Sequence, residues 1–251
     1  MSSDTPCIAM VAGEASGDLL SSLVIPGFQT RWPHARLQGI GGPRMVSLGF
    51  DAWWPQEKLA VRGYVEVLRH YREITHIRKL LCQRLIAHPP DVFVGVDAPD
   101  FNLKLSYLLK NQGIPTVQFV CPSVWAWRAE RLQVIRKSVD HVLCLFPFEP
   151  ALLHSHGIAA SFVGHPLAST IPLQPNKSAA RISLGVPEHQ KVIALLPGSR
   201  SAEIEHILPS FLKAAVLLEK QYGDALFVLP VAPGQMELLN KYTHQFNRPQ
   251  N

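Results

Sequence analysis

The sequence predicts an α/β protein built on parallel sheet, with a first domain over residues 1–170 and a linker plus the start of a second over residues 171–251. Three observations predict it. Short apolar runs such as Ile8 to Ala12 and Thr116 to Val120 lack the in/out alternation of a strand with one wet face, so they read as strands buried on both faces. These runs end in turns of glycine, proline or acid, and longer amphipathic segments follow them. After the proline-rich stretch Ile171-Pro-Leu-Gln-Pro-Asn176 the pattern restarts, with Lys191 to Leu196 as a new strand.

The totals agree with a folded, core-bearing chain. Of 251 residues, 47% are hydrophobic and 17% charged, which argues against disorder. The 24 Lys and Arg outnumber the 19 Asp and Glu, a surplus that favours anionic partners. Cys7, Cys82, Cys121 and Cys144 are scattered without a C-x-x-C pair, as expected of reduced core thiols in a cytoplasmic protein. No Lys or Arg precedes Arg31, and no apolar run approaches the ~20 residues that span a bilayer, so the expectation is a soluble or peripheral protein.

In chain order, Cys7-Ile-Ala-Met-Val-Ala-Gly-Glu-Ala-Ser-Gly-Asp18 is strand, turn and helix start. Asp18, or Ser16, is expected to cap the helix Leu19 to Gln29. Open parallel sheets place ligands at the carboxyl ends of their strands, so Glu14, Ser16 and Asp18 are site candidates; a plain capped turn is the competing reading. Ala35 to Gly41 is a second strand, but Gly39-x-Gly41 is followed by Arg44 where a dinucleotide fingerprint needs a third glycine, and no P-loop Gly-Lys pair occurs. Phe50 to Pro55 is a short aromatic strand or extended loop whose Trp53 and Trp54 are expected to pack.

From Lys58 to Leu85, Leu59, Val61, Val65, Val67, Leu68, Tyr71, Ile74 and Ile77 alternate with Arg62, Arg69, Arg72, Arg78 and Lys79. This basic amphipathic helix suits either a membrane interface or the covering layer of a sheet. Pro89 and Pro90 stop it. Asp91 to Val96 is the next buried strand, and Asp97 stands at its carboxyl tip, where a carboxylate suits a general base; a turn-stabilising Asp is the alternative. Asp100 is expected to cap the helix Asn102 to Gln112.

The strand Thr116 to Val120 delivers Trp125, Trp127 and Arg128, which suit an apolar and cationic wall for a sugar or phosphate, or simply rim packing. His154, His156 and His165 have no metal-ligand spacing partner. In the second domain Pro197-Gly-Ser199-Arg200 sits at a strand-to-helix junction, where backbone N–H groups, a hydroxyl and a guanidinium suit an anion cradle. The end, His244 to Asn251, reads as a tail.

Taken in order, Val11-Ala-Gly-Glu-Ala-Ser-Gly-Asp18, Gly39-Ile-Gly-Gly-Pro43, Val94-Gly-Val-Asp-Ala-Pro-Asp-Phe101, Pro122-Ser-Val-Trp-Ala-Trp-Arg128, Phe146-Pro-Phe-Glu149 and Leu196-Pro-Gly-Ser-Arg-x-x-Glu203 resemble the lipid-A-disaccharide synthase family. The resemblance implies an inverting glycosyltransferase with two Rossmann-like domains in the B-type fold, the second incomplete here. It implies transfer of 2,3-diacylglucosamine from its UDP derivative to 2,3-diacylglucosamine 1-phosphate, giving a β-1,6-linked disaccharide 1-phosphate and UDP. No cofactor or catalytic metal is implied, and the place of action is the cytoplasmic face of the inner membrane of a Gram-negative bacterium.

On that resemblance Asp97 is the catalytic base, with Glu14 as rival or assistant, and Arg200 offsets charge on the departing UDP. Ser16, Asp18, Trp125, Arg128, Ser199 and Glu203 fall to substrate binding. Val65, Val67, Leu68, Arg69 and Arg72 fall to membrane contact. The chain departs from the family in lacking its later glycine, threonine and glutamate motif. Two other readings therefore stand beside the transferase: a different UDP-sugar enzyme of similar fold, and a lipid- or nucleotide-binding fragment.

Overall fold

The computed structural model describes residues 5–59, 64–125, 130–199, 201–232 and 234–246, with side chains over the same ranges except 64–70 and 245–246. Packing divides the chain into Met1–Pro172 and Leu173–Asn251.

The first unit runs β1 (Cys7–Ala12), α1 (Ala15–Arg31), β2 (Arg36–Gly41), α2 (Pro43–Val46), β3 (Asp51–Pro55), α3 (Tyr64–Ala87), β4 (Val92–Val96), α4 (Pro99–Lys110), β5 (Thr116–Phe119), α5 (Arg131–Ser138), β6 (His141–Cys144), α6 (Glu149–Ser155) and β7 (Ala160–Phe162). Among the described residues the seven strands form one sheet in the order β3-β2-β1-β4-β5-β6-β7. All neighbours are parallel. All six residues of β1 are buried, which is why that run carries no alternation. Its odd and even positions serve opposite layers. Ile8, Met10 and Ala12 pack with Leu20 and Ile25 of α1, whereas Ala9 and Val11 pack with Leu81 and Leu85 of α3 and Leu105 and Leu109 of α4.

Three sequence expectations change here. The first helix begins at Ala15, four residues early, and Glu14 holds the N-cap position without a side-chain cap bond. Asp100 does not cap α4: Ala98 holds that position in left-handed conformation, and Asp100 is paired outward with Arg131. The carboxyl half of α3 is a covering helix, with Ile77, Leu81 and Leu85 in the core and Arg84 3.6 Å above the Trp53 ring. Arg72 is exposed on that helix, while the side chains of Val65, Val67, Leu68 and Arg69 lie outside the described residues. Gly39 has a steric cause rather than a nucleotide one: at φ 138° a Cβ there would run into the Met10 carbonyl.

The second unit holds α7 (Lys177–Ser183), β8 (Val192–Ala194), α8 (Ser201–Tyr222), β9 (Leu226–Val228) and α9 (Met236–Phe246). Strands β8 and β9 pair in parallel, the start of a second βαβ layer. Helix α9 was not anticipated from the sequence. It reaches into the expected tail because Leu239 packs with Ile204 and Leu208 of α8 in a small core of its own.

Candidate active site

Strand order reverses at one point: β1 leads to β2 on one side, and the chain then returns to lay β4 on the other side of β1. Open α/β sheets leave a crevice outside the carboxyl ends of the strands at such a switch point. The β1–β4 register ends at Ala12 opposite Val96. Glu14 lies two residues past one partner and Asp97 one residue past the other. Their loops touch, since a Cβ on Gly13 would lie 3.3 Å from the Ala98 Cβ. Both acids therefore stand at neighbouring strand tips.

Asp97 is held in a sparsely populated conformation. Among the described residues three non-glycines have positive φ: Asp97 at 52°, Ala98 at 40° and Val120 at 75°. They sit at the ends of the adjacent strands β4 and β5. For a β-branched valine this is a true outlier, and such strain persists only when the surroundings over-determine it.

Two buried amides supply that determination. Asn102 Nδ2 donates to the carbonyl oxygens of Asp97 at 2.9 Å, Val11 at 3.3 Å and Val96 at 3.4 Å. Gln118 Nε2 donates to those of Asp97 at 3.1 Å, Phe119 at 3.3 Å and Val120 at 3.3 Å. Each amide shares two hydrogens among three carbonyls, and the Asp97 oxygen receives from both. The flipped orientation would set amide oxygen against carbonyl oxygen, so the network fixes the assignment. Asn102 Oδ1 and Gln118 Oε1 are buried with no hydrogen-bond partner among the described residues. Gly95 makes room for both, because a Cβ there would lie 2.8 Å from the Asn102 Cβ and 3.0 Å from Gln118 Oε1. Sequence reading passed over these amides, although a Gln inside the apolar run Thr116 to Val120 was the available signal.

In front of these tips lies a cleft of about 220 Å³ lined by Asp97, Pro99, Val120, Cys121, Pro122, Ser123, Val124 and Arg131. The Cys121 thiol beneath it keeps its proton: the adjoining Cys144, burial and the Glu149 carboxylate push its titration far above the ordinary thiol range. It is an unreactive thiol.

The other sequence candidates divide. Ser16 is exposed in the first turn of α1. Asp18 is a correction: it is 2% exposed, and its carboxylate accepts the backbone N–H groups of Gly42, Arg44 and Met45 at 3.0–3.1 Å. It caps α2 from the first turn of α1 and offers no free oxygen to a substrate, because the β2 turn folds over it. Trp125 lies near the β5 and β6 tips, edge-on to Phe146 and Phe148, with its Nε1 donating to Glu149 Oε1 at 3.3 Å. All three rings are about half exposed. Trp127, Arg128 and Arg200 lie outside the described residues. In the second unit Glu203 Oε2 accepts the Ser199 N–H at 3.1 Å, so the chain's own carboxylate occupies one donor of the expected anion cradle.

Residues 8–250 match the family described as lipid-A-disaccharide synthetase. The chain belongs to that family. Among curated lipid-A-disaccharide synthases, the one from Albidiferax ferrireducens is 56% identical over 227 residues, 90% of this chain and 58% of its own length. The one from Burkholderia thailandensis is 56% identical over 234 residues, 92% of this chain and 60% of its own. The chain thus spans about three fifths of the length of those relatives.

Solved structures agree on the fold. A UDP-GlcNAc 2-epimerase from Neisseria meningitidis bound to UDP-GlcNAc superposes with a TM-score of 0.64 at 14% identity, covering 96% of this chain and 70% of that one. An S. aureus MnaA–UDP co-structure gives 0.66 at 13%, covering 97% and 68%. At such identities the likeness speaks for fold alone. This chain has a Rossmann-like parallel α/β fold of the B-type glycosyltransferase kind.

Proposed function

We propose that the chain carries the acceptor-side half of a lipid-A-disaccharide synthase. In this reaction 2,3-diacylglucosamine passes from UDP to the 6-hydroxyl of 2,3-diacylglucosamine 1-phosphate, with inversion. The observation that carries the proposal is the pairing of Glu14 and Asp97 at adjacent strand tips on the switch point, in a chain of this family. Asp97, braced through its backbone and facing the cleft, takes the proton from the attacking hydroxyl, and Glu14 assists or orients. The C–O bond to the new sugar forms at the anomeric carbon as the bond to UDP breaks, and the electron pair leaves with UDP. Arg200 offsets that charge, while Ser199 and Glu203 shape its loop. Ser16, Trp125 and Arg128 serve as substrate contacts.

The diacyl substrates require the enzyme at a lipid surface, so we assign Val65, Val67, Leu68, Arg69 and Arg72 at the amino end of α3 to peripheral contact with the cytoplasmic face of the inner membrane. Among the described residues no helix is long and apolar enough to cross a membrane.

Product analysis tests the assignment. This chain is fused to the part of the Burkholderia thailandensis relative beyond the matched 60% and given both lipid substrates. UDP and a disaccharide 1-phosphate should appear together. UDP without disaccharide, or an epimerised donor, sinks the proposal. The Glu203 carboxylate on the Ser199 N–H, where the anion cradle was expected, favours one second reading, a chain that binds lipid acceptor without turning it over. Co-sedimentation of the unfused chain with acidic vesicles, without UDP release, is its signature.

A further inference from the structure

The cleft in front of Asp97 has a second charged wall. Arg131, the first residue of α5, is the one cation in its lining among the described residues. Its side chain is only 19% exposed, yet its ion-pair partner, Asp100 Oδ1 at 2.7 Å, belongs to a side chain 86% exposed. A pair whose carboxylate is largely hydrated is weak and exchanges readily. The guanidinium is thus sheltered but weakly committed. A phosphate offers it two parallel charge-assisted hydrogen bonds in place of the one to Asp100 seen among the described residues.

We infer that Arg131 holds the phosphate of a hexosamine 1-phosphate acceptor whose 6-hydroxyl meets Asp97, so this arginine sets the preference for a phosphorylated acceptor. The inference deepens the proposed function and rests on its acceptor. The shape of the cleft agrees. At about 220 Å³ it lies below the ~300–1,000 Å³ of sites for drug-sized ligands, which suits one sugar ring with a phosphate. Pro99, Val120, Pro122 and Val124 add apolar lining that suits the ring, and Ser123 adds a hydroxyl. A hexosamine 1-phosphate carries its phosphate on C1 and its 6-hydroxyl on the carbon attached to C5, the two ring carbons that flank the ring oxygen, and the cleft has a cation and a carboxylate among its walls. The amino end of α5 adds positive potential at the same place.

The test is binding to the unfused chain. The probes are 2,3-diacylglucosamine 1-phosphate and its dephosphorylated form, each in neutral detergent micelles, with inorganic phosphate and a diacyl phosphatidic acid as separate arms. The wild type should prefer the phosphorylated sugar by about tenfold, the equivalent of one good charged hydrogen bond. Arg131→Gln should bring that preference to within about twofold, leaving the dephosphorylated form bound as before. Asp100→Asn, at an exposed position, should raise the preference by freeing the guanidinium.

Equal binding of the two sugars by the wild type, an unchanged preference in Arg131→Gln, or a lowered one in Asp100→Asn overturns the inference. So does an Arg131-dependent affinity for phosphatidic acid or inorganic phosphate that equals the affinity for the phosphorylated sugar, since the site would then be a general anion site. Failure of the transfer assay leaves this binding ratio standing. A fused enzyme that makes disaccharide while Arg131→Gln keeps its phosphate preference overturns the inference alone.

Discussion

The side-chain amide of Gln118 on β5 donates to the backbone carbonyl of Asp97 at the tip of β4, 3.1 Å away, and so ties two strained strand ends to one buried group. Replacing Gln118 by Leu removes the donors and frees both Asp97 and Val120 to relax. A stability loss of about 1–3 kcal/mol is expected from the orphaned carbonyls. In the fused enzyme kcat should fall with KM little changed, because the base shifts while the binding walls remain. Ser106→Ala, at another fully buried polar position, should leave kcat alone. Parallel losses of kcat in both variants would reduce Gln118 to an ordinary core residue.

Asp97→Asn keeps the size and the backbone donors of the site but cannot take a proton. Turnover of the fused enzyme should drop about a hundredfold or more with acceptor binding retained. Steady-state kinetics beside direct binding give the answer, and unchanged turnover would move the base to Glu14.

Asp18→Ala should act on folding rather than catalysis. Three N–H groups, on Gly42, Arg44 and Met45, lose their acceptor, two of them in bonds that are wholly buried. Denaturant unfolding should show a loss of about 1–3 kcal/mol. Normal activity per folded molecule is expected, and a selective rise in KM would return Asp18 to the substrate site.

Asp140 supplies an acid-sensitive tie beneath the sheet. Burial alone would raise its pKa, but the Thr116 N–H and hydroxyl and the Lys110 ammonium hold it below the ordinary carboxylate value. A carboxylate lowered in the folded state stabilises above its unfolded pKa, near 4, and that contribution fades as pH falls through the folded value. Asp140→Asn should therefore be less stable at neutral pH and lose less on acidification. The side chain is 48% exposed, so the difference should stay within about 1 kcal/mol. Melting curves from neutral to pH 3 that run parallel for both proteins would contradict this.

Serine at Val65, Val67 and Leu68 should lower co-sedimentation with acidic vesicles while the melting temperature holds, if these side chains meet lipid. A collapse in melting temperature would make them part of the core.

Periodicity and turn chemistry in the sequence were enough for the α/β class, the restart of the pattern in the second unit, and Glu14 and Asp97 as acids at strand ends. Those properties are local: a doubly buried strand shows itself in its own composition, and a tip residue in its distance from that run. Six motifs in order pointed to the family. What only the tertiary structure decided depends on residues far apart in the chain. Sheet order set β4 beside β1 and so brought the two acids to neighbouring strand tips. The β2 turn folded onto Asp18 and consumed a carboxylate that looks like a substrate contact in isolation. Asn102 and Gln118 have no distinctive spacing, because their role is to satisfy carbonyls on other strands, and hydrogen-bond demand of that kind exists only once the strands are side by side.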